Sequence, residues 1–317
     1  MDRAPRGAPL RASVNHRFEI TIIGCGAAAP NLRFNTTSQV VNIHEKWLLL
    51  DAGEGVQLGL RRHKVPFSRI HHIAISHMHG DHVLGLPGLI GSMNLLGRKD
   101  PLKLFGPAAL EPWLMETLRL TSTFLQFQLE FHALTAGASE VIWDAATFTV
   151  SAFPTRHRIP THGFLIREKA RAWNLKRESV LLHQLTVDEI KALKRGEVVR
   201  EGVRAIAPEV ACWPPPPERS YAFAADTRPS EAVAAAVSGA DVLYHEATFK
   251  QELSQRARET GHSTAQQAAE IAAAAGVGRL VLGHFSARYR DLTPLLDEAR
   301  AVFSNVTLAS DDEVIHV

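Results

Sequence analysis

No stretch of this chain constrains its fold more than Ser76-His77-Met78-His79-Gly80-Asp81-His82. It spells H-x-H-x-D-H at the end of the apolar run Ile70–Ile75. Alternate side chains of an extended segment share a face, so His77, His79 and Asp81 can converge, with His82 following as the chain turns toward a helix. Imidazole nitrogens and a carboxylate suit zinc or a similar divalent ion. Four ligands on one loop exceed what a single open zinc site needs from it, which makes two metals plausible. Histidine is plentiful, with sixteen in 317 residues, so clustering alone carries little weight. The position of this cluster, after a strand and before a helix, is what separates it from a polar loop.

A two-metal centre needs a group that bridges the ions and further ligands from elsewhere in the chain. His157, Asp226 and His284 each sit just past a predicted strand, in PTRH, ADTRP and GHFS. Any one alone is weak. With the first loop they complete two shells, His77/His79/His157 and Asp81/His82/His284, with Asp226 between as a carboxylate able to bridge. His245 and Glu246 end another strand, where an imidazole held by a carboxylate can give a proton to a leaving oxygen; a surface His-Glu pair is the plain alternative. Asp51, in Asp51-Ala52-Gly53-Glu54-Gly55, can orient a metal-binding histidine or be an ordinary acidic turn. Arg288 is either an anion clamp or a surface arginine.

Strands are expected at 18–24, 38–43, 47–50, 70–76, 102–105, 129–132, 148–153, 221–225, 242–245, 279–283 and 306–309. Helices are expected at 55–62, 82–95, 108–120, 230–237, 264–275 and 294–303, with Ser263 as an N-cap. The alternation in both halves predicts an α/β fold of two sheets packed face to face with helices outside. Residues 168–218 differ. They are charged, hold a helix near 187–193 and end in the Pro214–Pro217 block, which reads as an insertion with a stiff linker or as a solvated surface excursion. Residues 1–17 carry four arginines and no apolar core, so they read as a disordered tail rather than a secretory signal. Two cysteines give no disulfide framework and no cysteine-based zinc site, which fits a reducing cytoplasm. A net charge of +2 neither demands nor excludes nucleic acid.

Taken together, these residues resemble the metallo-β-lactamase superfamily and, within it, the ribonuclease Z family of tRNA 3′-processing endonucleases. The narrower likeness rests on DAGEGVQ at 51–57, GLPGLIGSMNLLGR at 85–98, HRIPTHGF at 157–164, DTRP at 226–229, HEATF at 245–249, HSTAQQAAEIA at 262–272 and HFSARY at 284–289. It runs from 18 to 317. In the loop Pro30–Asn35 only Pro30 and Asn35 keep the family's Pro-x-Lys-x-Arg-Asn pattern, with Arg33 displaced.

The resemblance implies a four-layer αββα sandwich with an arm at 168–218 that grips the tRNA elbow, and a cytoplasmic homodimer. It also implies two zinc ions per subunit, with manganese or iron as alternatives. Asp81 would be the general base; His245, oriented by Glu246, would protonate the leaving ribose oxygen; Ser286 and Arg288 would hold phosphate. The implied activity is removal of the 3′ trailer from precursor tRNA, leaving a 3′-hydroxyl. The alternative is a two-metal phosphodiesterase or arylsulfatase-type hydrolase of small substrates on the same scaffold.

Overall fold

The computed structural model describes residues 16–200 and 202–317. The tail expected over residues 1–17 lies, but for its last two residues, outside the described residues. The chain divides into two compact units, one of residues 17–167 with 219–317 and one containing 168–218.

The larger unit begins with β1 (Phe18–Gly24), β2 (Ser38–Ile43), β3 (Lys46–Leu50), α1 (Val56–Arg62), β4 (Ile70–Ala74), α2 (Gly80–Val83) and α3 (Leu86–Leu95). There follow β5 (Leu102–Gly106), α4 (Leu110–Leu120), β6 (Leu129–Ala133), β7 (Glu140–Asp144), β8 (Phe148–Pro154) and β9 (His162–Glu168). In the smaller unit β10 (Asn174–Leu175) pairs antiparallel with β11 (Cys212–Trp213). It also holds α5 (Arg177–Leu182), α6 (Val187–Lys194) and α7 (Pro208–Ala211). Its own small core is Leu185, Leu193, Val199, Ile206, Ala211 and Cys212. Thr186 caps α6 through a reciprocal box with Glu189, whose carboxylate also takes Arg200 Nε at 2.7 Å.

The larger unit then resumes with β12 (Ser220–Ala224), α8 (Glu231–Ala236), β13 (Val242–Glu246), α9 (Ser254–Thr260) and α10 (Ala265–Ala275). It closes with β14 (Arg279–Gly283), α11 (Thr293–Arg300), β15 (Val306–Leu308) and β16 (Val314–His316). Two seven-stranded sheets result, ordered β16-β1-β2-β3-β4-β5-β6 and β15-β14-β13-β12-β9-β8-β7.

Alternation along the strands sorts side chains between two cores. Leu48 and Leu50 of β3 join Phe148, Phe164, Phe223 and Tyr244 of the second sheet, while Leu49 between them packs with Leu60 of α1 and Leu89 of α3. A strand buried on both faces has to be apolar at successive positions, as Leu48-Leu49-Leu50 is. Alanines and leucines of α8, α10 and α11 cover the outer face of the second sheet. The layers are therefore αββα, as the alternation of elements predicts.

The expected helix over 82–95 is two helices, with Pro87 in the first turn of α3, where its missing N–H costs nothing. Gly85 between them is obligatory: a Cβ there would lie 2.1 Å from the carbonyl oxygen of Gly53. Thr264, not Ser263, caps α10, its side chain accepting from Gln267 N.

Candidate metal centre

The expected ligands meet at the carboxyl ends of strands. His77 to His82 follow β4, His157 follows β8, Asp226 follows β12 and His284 follows β14. Strands β3 and β4 run parallel, as do β12, β13 and β14, so their ends deliver side chains to one rim. His77, His79, His157 and Asp226 each bring a ligand atom within 4.8 Å of the others, and Asp81, His82 and His284 do the same. Asp226 reaches both groups: Oδ2 is 3.4 Å from His77 Nε2, and Oδ1 is 3.0 Å from His284 Nε2.

Four of the five imidazoles are aimed by a partner on the outer nitrogen. His82 Nδ1 donates to Asp51 Oδ2 at 2.7 Å, and His157 Nδ1 donates to the Gly261 carbonyl at 2.7 Å. His284 Nδ1 lies 3.0 Å from Thr248 Oγ1, and His77 Nδ1 2.9 Å from Ser76 Oγ. Asp51 is fully buried and also accepts from Ser76 N at 2.7 Å and Ser76 Oγ at 2.9 Å. Both Asp51 (φ 57°) and His284 (φ 56°) hold the left-handed conformation, a strain that persists only where surrounding contacts over-determine it.

The inner nitrogens face one another. His77 Nε2 is 2.9 Å from His79 Nδ1, His157 Nε2 is 3.2 Å from the same atom, and His82 Nε2 is 3.3 Å from His284 Nε2. Asp226 Oδ1 is buried without a hydrogen-bond partner. Facing lone pairs around an uncommitted carboxylate oxygen are satisfied by shared cations, so this donor set fits metal ions. Burial pushes His77 down, and His79 and His157 to about 4, which favours the neutral imidazole that binds metal. Burial opposes ionisation of Asp81, but His82 and His284 outweigh it and hold the carboxylate below its usual range.

One expected pairing does not form. His245 and Glu246 are successive residues of β13, so they point to opposite faces. His245 is fully buried, its Nδ1 donates to the backbone carbonyl of Glu246 at 2.8 Å, and its Nε2 has no partner. The imidazole on the Glu246 carboxylate is instead that of His262, Nδ1 to Oε1 at 3.0 Å. Glu246 also accepts from Thr227 N at 2.6 Å, Thr248 Oγ1 at 2.6 Å and Ser263 N at 3.1 Å. His262 Nδ1 is 4.0 Å from Asp226 Oδ2, beside the ligand cluster. Burial lowers His262, but Glu246, Asp226 and Asp81 overcome it and raise its pKa to about 9.

A signal for His262 exists in the sequence. The capping box Thr264–Gln267 marks a helix start, which puts His262 two residues before it, level with the strand ends. Arg288 is exposed, stacks 4.9 Å over the Phe249 ring and donates from Nε to Ser286 Oγ at 3.0 Å.

Residues 18–173 match the family model described as anti-Pycsar protein Apyc1, and residues 214–285 match that of the beta-lactamase superfamily domain. Ribonuclease Z of Bacteroides fragilis is 44% identical over 298 residues, 93% of this chain and 98% of its own. Ribonuclease Z of Bacteroides thetaiotaomicron is 42% identical over 95% of this chain and 96% of its own. The crystal structure of the short form of human tRNase Z superposes with a TM-score of 0.68 at 27% identity, covering 94% of this chain and 99% of that one.

Proposed function

The chain belongs to the ribonuclease Z family of the metallo-β-lactamase fold and is a tRNA 3′-processing endoribonuclease, and from that premise we propose how its residues make the cut. The observation that carries the reading is Asp226, central to two groups of three further ligands and adjoined by the Glu246–His262 pair. His77, His79 and His157 would hold one zinc ion, Asp81, His82 and His284 a second, and Asp226 would bridge them. Divalent ions so held would lower the pKa of water to about 7 and offset charge on the phosphoryl group.

The remaining work falls to side chains. Asp81, ionised at neutral pH, takes the proton of the attacking water. Ser286 and Arg288 hold the phosphate. Glu246 fixes His262 with Nδ1 as its bonded nitrogen, leaving Nε2 to give a proton to the departing ribose oxygen. The water oxygen–phosphorus bond forms as the phosphorus–O3′ bond breaks. The products are a tRNA ending in a 3′-hydroxyl and a trailer with a 5′-phosphate.

Among the described residues no helix is long and apolar enough to cross a membrane. We further propose that the enzyme is cytoplasmic, in keeping with two buried free cysteines. A homodimer is also proposed, with exposed Leu58 of α1 and Leu95 and Leu96 near the end of α3 as apolar surface such an interface would cover.

The test is cleavage of a precursor tRNA with a 3′ trailer, beside bis-p-nitrophenyl phosphate, before and after chelation. Chelator-sensitive cutting near the trailer junction is expected. His262→Ala should abolish most of it, while His245→Ala should keep the rate to the extent that the variant folds. Loss in His245→Ala with normal folding and full activity in His262→Ala would overturn the assignment of the proton donor.

A further inference from the structure

An open cavity of about 580 Å³ adjoins the metal centre, lined by Arg156, Arg228, Pro229, Arg258, His262 and Gln267. Three guanidinium groups therefore share one space with the proposed proton donor, and no carboxylate lines it. Among the described residues none of the three arginines forms an ion pair within 4.0 Å.

The three come from separate elements and are tied together. Arg156 follows β8, Arg228 follows β12, and Arg258 lies on α9. Arg156 N donates to Thr227 Oγ1 at 3.1 Å, and Arg228 N donates to the Arg156 carbonyl at 2.8 Å, which fixes the two loops to each other. Arg228 Nε donates to the carbonyl oxygen of Arg258 at 2.9 Å, which leaves its two terminal nitrogens for a ligand. Arg156 and Arg258 are exposed and Arg228 is half-buried, so the cluster is open to a large polyanion. Clustered, unpaired guanidiniums match phosphate oxygens in charge and in fork geometry.

We propose that Arg156, Arg228 and Arg258 form a subsite for one particular RNA phosphate, the one on the 5′ side of the nucleotide whose 3′ oxygen departs. The inference rests on the endonuclease reading above. Its direction follows from His262, which is a wall of the cavity. The proton donor stands beside the leaving 3′ oxygen, so the nucleotide carrying that oxygen lies against His262. The cavity beyond His262 then receives that nucleotide's own 5′ phosphate, on the tRNA side of the cut. Such a contact positions the strand without reading its sequence, and it would set where along the acceptor strand the cut falls.

The test uses the metal-loaded, full-length enzyme and RNAs that carry one uncharged methylphosphonate. In one RNA it replaces the linkage 5′ of the cleaved nucleotide; in the other it replaces the next linkage 3′ of the cut. With wild-type enzyme the 5′ replacement should raise KM about 10- to 100-fold, and weaken binding of an uncleavable analogue equally, as expected for a lost charge-assisted contact. The 3′ replacement should cost far less. Arg258→Gln, and separately Arg156→Gln/Arg258→Gln, should raise KM for the all-phosphate RNA, and in the double variant the 5′ methylphosphonate should add little further. Both substitutions are at exposed positions, so folding should survive, and thermal unfolding checks that it does. An unchanged wild-type KM with the 5′ methylphosphonate would overturn the subsite, as would a full methylphosphonate penalty in the double variant. Failure of wild-type enzyme to cut any of the RNAs would instead overturn the reading on which the subsite rests.

Discussion

Glu246→Gln separates the orientation of the proposed proton donor from its presence. The carboxylate is fully buried, and each oxygen accepts two hydrogen bonds. Oε1 takes Thr227 N and His262 Nδ1, at 2.6 and 3.0 Å; Oε2 takes Thr248 Oγ1 and Ser263 N, at 2.6 and 3.1 Å. A glutamine of the same shape keeps only one oxygen. With its NH₂ at the Oε1 position it would oppose both the Thr227 N–H and the imidazole. With its NH₂ at the Oε2 position it opposes only the Ser263 N–H, because the Thr248 hydroxyl can rotate to accept. The second orientation is cheaper and leaves one buried N–H unsatisfied, a cost of about 1–3 kcal/mol in stability.

His262 then keeps a neutral acceptor but loses the charge that offsets its burial, so its protonated form becomes scarcer. A positioned acid contributes about 10²- to 10⁴-fold, or roughly 3–5 kcal/mol of barrier at about 1.36 kcal/mol per decade. Steady-state assays should show kcat on precursor tRNA reduced by about 10²- to 10³-fold, with KM nearly unchanged. Turnover of bis-p-nitrophenyl phosphate should fall by less than about tenfold, since p-nitrophenolate departs without a proton. Equal losses on both substrates at full metal content would refute the claim that Glu246 acts through protonation of the leaving group.

Three further substitutions test the scaffold around the site. Asp51→Ala removes the acceptor that aims His82 and should weaken metal binding by about 10- to 100-fold, read by titration against a competing chelator. Gly283→Ala would place a Cβ 2.0 Å from Tyr244 Oη, the group that accepts from His284 N. It should cost about 1–3 kcal/mol in denaturant unfolding and lower metal content as well. His72 stacks on Trp143 at 3.6 Å, and burial, then Lys103, lowers its pKa to about 3. The folded-state pKa lies below the unfolded value of 6.5, so this stability is present above pH 6.5 and is lost as pH falls toward 3. Between pH 7.5 and 5.5 wild type should lose about 1 kcal/mol more than His72→Phe, after allowance for partial solvent exposure.

Much of this centre can be read from the sequence because its ligands lie where strands end. A short apolar strand is easy to recognise, and although one histidine or aspartate just beyond it says little, the set of them completes two coordination shells. That logic reaches His77, His157, Asp226 and His284, and leaves Asp51 as an orienting carboxylate or an acidic turn, a choice that the bond to His82 decides. It fails at Glu246, where adjacency in sequence suggests a pair that a strand's alternation forbids. The real partner, His262, is brought in by the turn between α9 and α10 across sixteen residues; the capping box marks where that turn ends but does not name its carboxylate partner. Strand β9 escapes the sequence reading for a related reason: its sequence, HGFLIRE, mixes charge into an apolar segment that lies between β12 and β8 in the sheet. The arginine cavity is hidden because its three members are far apart in the chain and each alone resembles a surface residue.

The two sheets contribute complementary halves of the centre. The first supplies Asp51 and the loop from His77 to His82; the second supplies His157, Asp226, Glu246 and His284, with His262 held on Glu246. Each half carries its own buried carboxylate, Asp51 or Glu246, that accepts from several donors and aims an imidazole inward. The halves meet chiefly through Asp226 and through nitrogens that face each other across the gap. Cations held there would join the sheets at the rim, whereas the apolar core joins them below. Metal binding should therefore raise the unfolding midpoint of the whole larger unit, since ligand affinity for the native state alone adds directly to its stability. Chelation that removed activity without lowering that midpoint would show that the core alone holds the sheets in register.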